Sequence, residues 1–286
     1  MPELPEVESA RAVIERGALD RVITGVDDAD TYECRPHVPG EIRHALLGRR
    51  LLAARRRGKL MWCETSGLPG SPDPDLPGPR LGLHLGMSGR ILVEGPAHAG
   101  GPTQEGGDYS GGGQGGGLGA VGATQKPEWY RFTLDFEDGG SLRLFDKRRL
   151  GRVRLDPDLE ALGPDAAEIG RDDFRERVGR GTAPLKARLL DQAVLAGVGN
   201  LLADEVLWRS ELSPRRPAGD LSTEDLDVLR RELRAGIRHA IRHGGVHTGE
   251  VIPFRRAGAH CPRCGGEMLR ATVGGRTTWW CAQEQA

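Results

Sequence analysis

Near the N-terminus, Val7, Ala10, Val13, Ile14 and Ala18 recur at three- and four-residue spacing, which predicts an amphipathic helix from Val7 to about Leu19. Pro5 suits its first turn, where a missing N–H removes no intrahelical bond. Gly17 and Gly25 punctuate its end. The next hundred or so residues change period. LGRRLLAARRRGKLMWCET, RLGLHLGMSGRILVEG and WYRFTLDFEDGGSLRLFD alternate loosely and predict strands, with Glu137-Asp138-Gly139-Gly140 as a hairpin turn. Beyond about Leu159 the helical period returns in Phe174–Val178, Leu185–Val194, Leu201–Arg209 and Leu221–Arg242. LLDQAVLAGVGNLLADEVLW is the sharpest of these segments. It predicts a helix, a turn through Ala196-Gly197-Val198-Gly199, and Asn200 as the N-cap of a second helix. The chain ends in a short, glycine-punctuated hairpin pattern around three cysteines.

Two stretches carry no period. Residues 95–125 are dominated by glycine, and 66–80 by proline and glycine. Both predict flexible surface loops without chemistry, which is affordable because closure cost grows only logarithmically with length. A chain of 286 residues has room for about two domains. Its 37% hydrophobic and 28% charged composition allows a packed core. No apolar run reaches membrane-spanning length and the N-terminus lacks a secretory h-region, so a soluble, cytoplasmic protein is expected, with no membrane partner. The net charge of −1 argues against a polyanion partner until the chain is divided. Residues 1–170 hold 21 basic and 26 acidic side chains (−5), and residues 171–286 hold 19 and 15 (+4). A solvated basic face and a nucleic-acid surface explain that asymmetry equally well.

Candidate chemistry begins at MPELPEVE. With Met1 removed, Pro2 is a terminal secondary amine whose ordinary pKa of ~8 leaves free base near neutrality. Glu3 beside it is placed to transfer protons at the same reacting carbon. The bland alternative is a proline-punctuated helix start with acidic residues near its N-terminus. From the residues alone Lys59 reads as a surface lysine in the run Arg55-Arg56-Arg57. Cys261-Pro-Arg-Cys264, sixteen residues and then Cys281 give structural-zinc spacing for three ligands.

MPELPEVE resembles the N-terminus of the formamidopyrimidine-DNA glycosylase and endonuclease VIII family. Four further segments stand in that family's order: Arg57-Gly58-Lys59, His84-Leu85-Gly86-Met87-Ser88-Gly89, the helix–turn–helix of 185–210, and the hairpin Gly274-Gly275-Arg276-Thr277-Thr278. Five collinear matches make the resemblance specific, and it covers nearly the whole chain apart from the two low-complexity stretches. It implies an α+β fold in three parts. These are an N-terminal β-sandwich with flanking helices (1–158), a helix-two-turn-helix domain (159–257) and a C-terminal zinc-finger-like β-hairpin (258–286).

The activity implied is that of a bifunctional DNA glycosylase/AP lyase of base-excision repair, a monomer acting on damaged double-stranded DNA in the nucleoid. Pro2 would attack C1′ and form a Schiff base, Glu3 would protonate the sugar ring oxygen, and Lys59 would contact phosphate and assist β- and then δ-elimination. Arg276 would reach the damaged nucleotide's phosphate. Asn200 and Lys186 would be further phosphate contacts, which position a duplex without reading its sequence. Met87, Arg148 and Leu150 would fill the hole left by the extruded base. Where the family usually has proline and phenylalanine, this chain has Lys147 and Leu150, so apolar bulk remains but aromatic stacking does not.

Two further departures bear on the reading. The family's fourth cysteine is Glu284 here, which leaves a Cys3Glu zinc site of Cys261, Cys264, Cys281 and Glu284, a site completed by His260 or water, or a metal-free hairpin. The segment VHTGEVIPFRRAGAH is shorter than in members acting on 8-oxoguanine, so ring-opened formamidopyrimidines, oxidised pyrimidines and abasic sites stay open as substrates. Rival readings are an AP lyase with little glycosylase activity, and a non-catalytic damaged-DNA-binding protein on the same scaffold. The presence of both Pro2 and Glu3 argues against the latter, because mere binding needs neither.

Overall fold

Alternating burial along the strands gives the first half of the chain two antiparallel sheets around one core. A computed structural model describes residues 1–68, 70, 76–96, 103–107 and 126–285. The elements run α1 (Leu4–Gly17), β1 (Ile23–Asp27), α2 (Glu41–Leu46), β2 (Leu51–Arg57), β3 (Leu60–Thr65), β4 (Leu81–His84), β5 (Arg90–Glu94), β6 (Gln104–Gly107), β7 (Tyr130–Phe136), β8 (Ser141–Phe145) and β9 (Arg152–Leu155). One sheet has the order β1-β7-β8-β5-β6 and the other β2-β3-β4-β9. Ile23, Leu134 and Leu142 of the first sheet share a buried cluster with Met61, Leu83 and Val153 of the second and with Val7, Ala10 and Ile14 of α1. Residues directly opposite set the register, with Leu60 facing His84 across β3 and β4.

The remaining elements are α3 (Arg171–Val178), α4 (Leu185–Leu190), α5 (Asn200–Arg209), α6 (Thr223–His243), β10 (Met268–Val273) and β11 (Arg276–Cys281). The amphipathic α6 starts at a capping box in which Ser222 and Asp225 exchange hydrogen bonds. Its Leu226, Leu229, Leu233 and Ile237 join Leu185, Leu189, Leu202 and Val206 in a second core. By density of contacts the chain divides into two units. One holds Met1–Pro2 and Glu6–Asp158, and the other holds Glu3–Pro5 and Leu159–Ala286. Leu4 accordingly belongs to the second core.

Three expectations change. The glycine-rich stretch of 95–125 is not all loop, because Gln104–Gly107 forms β6 and pairs with β5 from Arg90↔Gly107 to Val93↔Gln104. Residues 97–102 and 108–125 lie outside the described residues, as do 69 and 71–75 of the second low-complexity stretch. The region read wholly as β contains α2, six residues long and too short for a clear helical period. The helix expected over Leu185–Val194 ends at Leu190. There Asp191 leaves the helical conformation and accepts the N–H of Ala193 at 3.0 Å.

Candidate active site

In the N-terminal unit, Pro2 is buried and Met1 exposed. Lys59 is half-buried in the turn between β2 and β3. That turn is braced from α1, where Glu8 accepts from Arg11 at 2.8 Å and from Arg56 at 3.0 Å. Arg55 reaches Glu64 at 3.4 Å. Two members of the basic run therefore already have carboxylate partners. His84 is lodged beside Lys59; burial first, and then the Lys59 charge, hold its imidazole below the usual histidine range. Its Nδ1 accepts the Gly86 N–H at 3.1 Å, as a neutral ring does.

The three residues read as filling the void come together. Met87 is 38% exposed at the tip of the turn between β4 and β5, on the surface and not in the core. Arg148 is exposed and Leu150 half-buried in the loop between β8 and β9. The two segments touch at Gly86, where a Cβ would lie 2.3 Å from the Leu150 carbonyl carbon, so only glycine permits the approach. Ser88 donates its hydroxyl to Asp146 at 2.8 Å, and Asp146 also accepts the N–H groups of Arg148, Leu150 and Gly151 at 2.8–2.9 Å. No sequence signal singled out Asp146, since three of its four donors are backbone N–H groups.

In the second unit the chemistry collects at the N-terminus of α5. The carboxylate of Glu3 accepts N–H groups from Gly199 at 2.9 Å, Leu201 at 2.8 Å and Leu202 at 3.1 Å. These are the donors a helix N-terminus leaves unpaired, and the end of the helix dipole favours the negative charge. Gly199 makes room, since a Cβ there would lie 2.2 Å from Glu3 Cδ. This corrects the reading of Asn200. The N-cap is Gly199, Asn200 is the first helical residue, and the capping carboxylate comes from the other end of the chain. Asn200 instead donates its side-chain N–H to the Thr277 carbonyl at 3.1 Å. The preceding turn is organised by Gln192, which donates to the Leu190 and Val198 carbonyls and accepts the Gly197 N–H.

Lys186 is corrected as well. It is fully buried, and its ammonium pairs with Asp204 at 2.5 Å and donates to the Thr278 hydroxyl at 2.8 Å. A group so enclosed does not face a phosphate from solvent. Burial lowers the Lys186 ammonium against the pull of Asp204, and raises the Asp204 carboxyl against Lys186 and Arg255. Asp204 also takes Arg255 at 2.8 Å and the Trp279 N–H at 3.3 Å. The network thus ties α4 and α5 to β11. Arg276 opens β11 and is exposed, just after the two-residue turn Gly274-Gly275.

Near the other end of α5, Cys261, Cys264, Cys281 and Glu284 bring their ligand atoms within 4.8 Å of one another. Such a set suits a metal ion, and His260 is not part of it. The sulfurs also accept hydrogen bonds: Trp208 Nε1 to Cys261 at 3.3 Å, Gly266 N–H to Cys264 at 3.4 Å and Glu284 N–H to Cys281 at 3.5 Å. Burial opposes ionisation of Cys261, yet the bonds from Trp208 and the backbone leave it below the usual thiol range. Trp208, Met268 and half-buried Trp279 pack around this end of the hairpin. Among the described residues, no helix is long and apolar enough to cross a membrane.

Known proteins resemble this chain along nearly its whole length. Residues 1–153 match the formamidopyrimidine-DNA glycosylase N-terminal domain, and residues 161–250 match the H2TH domain of the same enzymes. A formamidopyrimidine-DNA glycosylase of Nocardioides sp. is 32% identical over 308 residues, covering 98% of this chain and 93% of that protein. One from Chloroflexus aggregans is 31% identical over 303 residues, covering 98% and 97%. Among solved structures, the Lactococcus lactis enzyme bound to DNA containing an AP site is similar in fold, with a TM-score of 0.74, 24% identity and 99% of each chain covered. The same enzyme with DNA containing FAPY-dG gives a TM-score of 0.75.

Proposed function

The chain belongs to the formamidopyrimidine-DNA glycosylase family of base-excision repair enzymes, and on that footing we propose that it removes an oxidised or ring-opened base from duplex DNA and then cuts the abasic strand, with Pro2 as nucleophile. The observation that carries this reading is the anchoring of Glu3. Its carboxylate is held by three N–H donors, and its backbone is joined directly to Pro2. With Met1 removed, the Pro2 nitrogen attacks C1′ of the damaged nucleotide and the base departs with the electrons of its glycosidic bond. Opening of the sugar at O4′ then leaves an iminium between Pro2 and C1′, and Glu3 mediates the proton that O4′ takes up. The iminium acidifies the C2′ hydrogens. Loss of one expels the 3′ phosphate, and a second elimination expels the 5′ phosphate. Lys59 steadies the phosphate charge during these steps.

Arg276 and Asn200 contact phosphate, and Met87, Arg148 and Leu150 fill the hole left by the extruded base. The protein works as a monomer in the cytoplasm. Zinc is the ion that Cys261, Cys264, Cys281 and Glu284 would hold; when bound it cross-links the hairpin and supplies no step of the reaction.

Borohydride trapping on a duplex with one abasic site tests the reading. Wild type should give a covalent adduct on the N-terminal peptide, and Pro2→Gly should give far less. Protein that lacks Met1, binds the duplex and yields no adduct would sink the lyase mechanism and leave a damaged-DNA-binding protein in its place. Cleavage of abasic DNA without release of any oxidised or ring-opened base would leave an AP lyase.

A further inference from the structure

The loop carrying Arg148 and Leu150 is built around a carboxylate that has no part in the chemistry above. Asp146 is fully buried. Its Oδ1 accepts the Ser88 hydroxyl at 2.8 Å and the Arg148 N–H at 2.9 Å, and its Oδ2 accepts the Leu150 and Gly151 N–H groups at 2.8 and 2.9 Å. Because Ser88 adjoins Met87, one carboxylate holds both segments of the wedge.

A second carboxyl, Glu33, is also fully buried at this place. A Cβ on Gly151 would lie 2.6 Å from Glu33 Oε2, while the Gly151 N–H goes to Asp146. The cations nearby are committed elsewhere. Arg149 pairs with Asp30 at 2.8 Å, and Arg131 pairs with Asp30 at 3.6 Å and donates to the Asp146 backbone carbonyl at 2.8 Å. Arg149 and Arg152 also lie over the Tyr32 ring at 5.7 and 5.1 Å. The neighbouring Cys34 thiol is pushed up to about 12 by burial and the surrounding carboxylates, so it stays neutral. Glu33 has no ion pair among the described residues. Two ionised carboxylates do not share so dry a site, and one keeps its proton. Asp146 accepts four N–H and O–H donors, whereas neither carboxyl oxygen of Glu33 has a hydrogen-bond partner among the described residues. Burial, then Asp146 and Asp30, push the Glu33 carboxyl up to about 8, against the weaker pull of Arg131.

We propose that Asp146 is the positioning residue of the void-filling wedge and that Glu33 is its proton-carrying partner, so that the wedge keeps its shape only while Glu33 is uncharged. When Glu33 gives its proton to water or hydroxide, a second negative charge appears beside Asp146. Relief comes from admitting water, which competes for the N–H groups of Arg148, Leu150 and Gly151 and loosens the loop. The inference rests on the reading of Met87, Arg148 and Leu150 as void-filling residues.

The test places 2-aminopurine opposite an uncleavable abasic analogue in a duplex saturated with protein and follows its fluorescence with pH. In wild type the insertion signal should fall through the ionisation of Glu33, to about a tenth of its neutral-pH amplitude one unit above it. Glu33→Gln mimics the protonated acid in shape and should keep the signal flat across the same range. Asp146→Asn should lower the signal at every pH. A double Met87→Ala, Leu150→Ala variant separates the two levels. If it leaves the signal intact, the void-filling reading fails. If the signal needs Met87 and Leu150 yet wild type and Glu33→Gln titrate alike, or wild type does not titrate, this inference alone is overturned.

Discussion

The carboxylate of Glu3 accepts the backbone N–H of Leu201 at 2.8 Å across 198 positions of chain. The residue bonded to the proposed nucleophile is therefore also the cap of α5, and it shares that helix end with Asn200. Folding of the second unit and placement of the N-terminus are one event, because the donors Glu3 satisfies would otherwise be left unpaired in a buried setting.

Gly199→Ala should expel that cap. A methyl group at 2.2 Å from Glu3 Cδ has no room, so the expected cost is on the order of 2 kcal/mol, combining a lost cap with buried unsatisfied N–H groups. Urea unfolding measures the cost, and abasic-site incision should fall with it. Wild-type stability and incision in this variant would show that Glu3 is not held as described.

Replacing Asp204 by alanine strands the buried Lys186 ammonium, and the expected loss is about 3–5 kcal/mol. Lys186→Met, which removes the charge but keeps the bulk, should cost less. A binding measurement discriminates the corrected role from the original one. Loss of a direct phosphate contact reduces the slope of log affinity against log salt by about 1, whereas Lys186→Met in a folded protein should leave that slope unchanged.

Glu33 ties stability to pH. An unfolded glutamate releases its proton near 4.5, while in the folded chain the group holds it up to about 8. Between those values the folded state binds more protons, so this contribution to stability is full below the lower value and declines as pH rises through the window. Glu33→Gln cannot ionise. Its stability relative to wild type should grow across the window by on the order of 2–4 kcal/mol and level off above it. Urea midpoints at a series of pH values check this, and parallel pH profiles for the two proteins would contradict it.

The hairpin should depend on Glu284 for its metal. Glu284→Cys restores the four-thiolate set and should raise zinc retained against a chelator, and Glu284→Ala should lower it, both read as zinc per chain by atomic emission. Stripping the metal should lower the thermal midpoint of wild type more than that of Glu284→Ala. Equal zinc retention in all three would exclude Glu284 as a ligand.

Met87→Ala acts on an exposed side chain and should change stability by about 0.5 kcal/mol or less, while Leu150→Ala truncates a half-buried one and should cost about 1 kcal/mol. Base release from a paired lesion should nonetheless slow much more than incision at a preformed abasic site. Equal slowing of both reactions would argue against a wedge.

The sequence was sufficient wherever meaning is local. Period-two strands, the amphipathic α6 and the Glu137–Gly140 turn follow from spacing, because alternation and the 3.6-residue turn expose one face regardless of the rest of the chain. It also placed Met87, Arg148 and Leu150 among the candidate residues. Tertiary structure decided what each polar group bonds to. Asn200 looked like a cap until Glu3 arrived from 197 positions away to take the donors of α5, and Lys186 looked like a phosphate ligand until Asp204 and Thr278 enclosed it. Asp146 and Glu33 carried no signal, since backbone N–H donors and burial leave no residue pattern. Glu284 joins a set that could hold a metal because the turn after β11 brings its carboxylate within 4.8 Å of the three sulfurs. Spacing encodes which face a side chain takes; which partner meets it there is settled only when distant segments compete for the same unpaired donors and the same dry space.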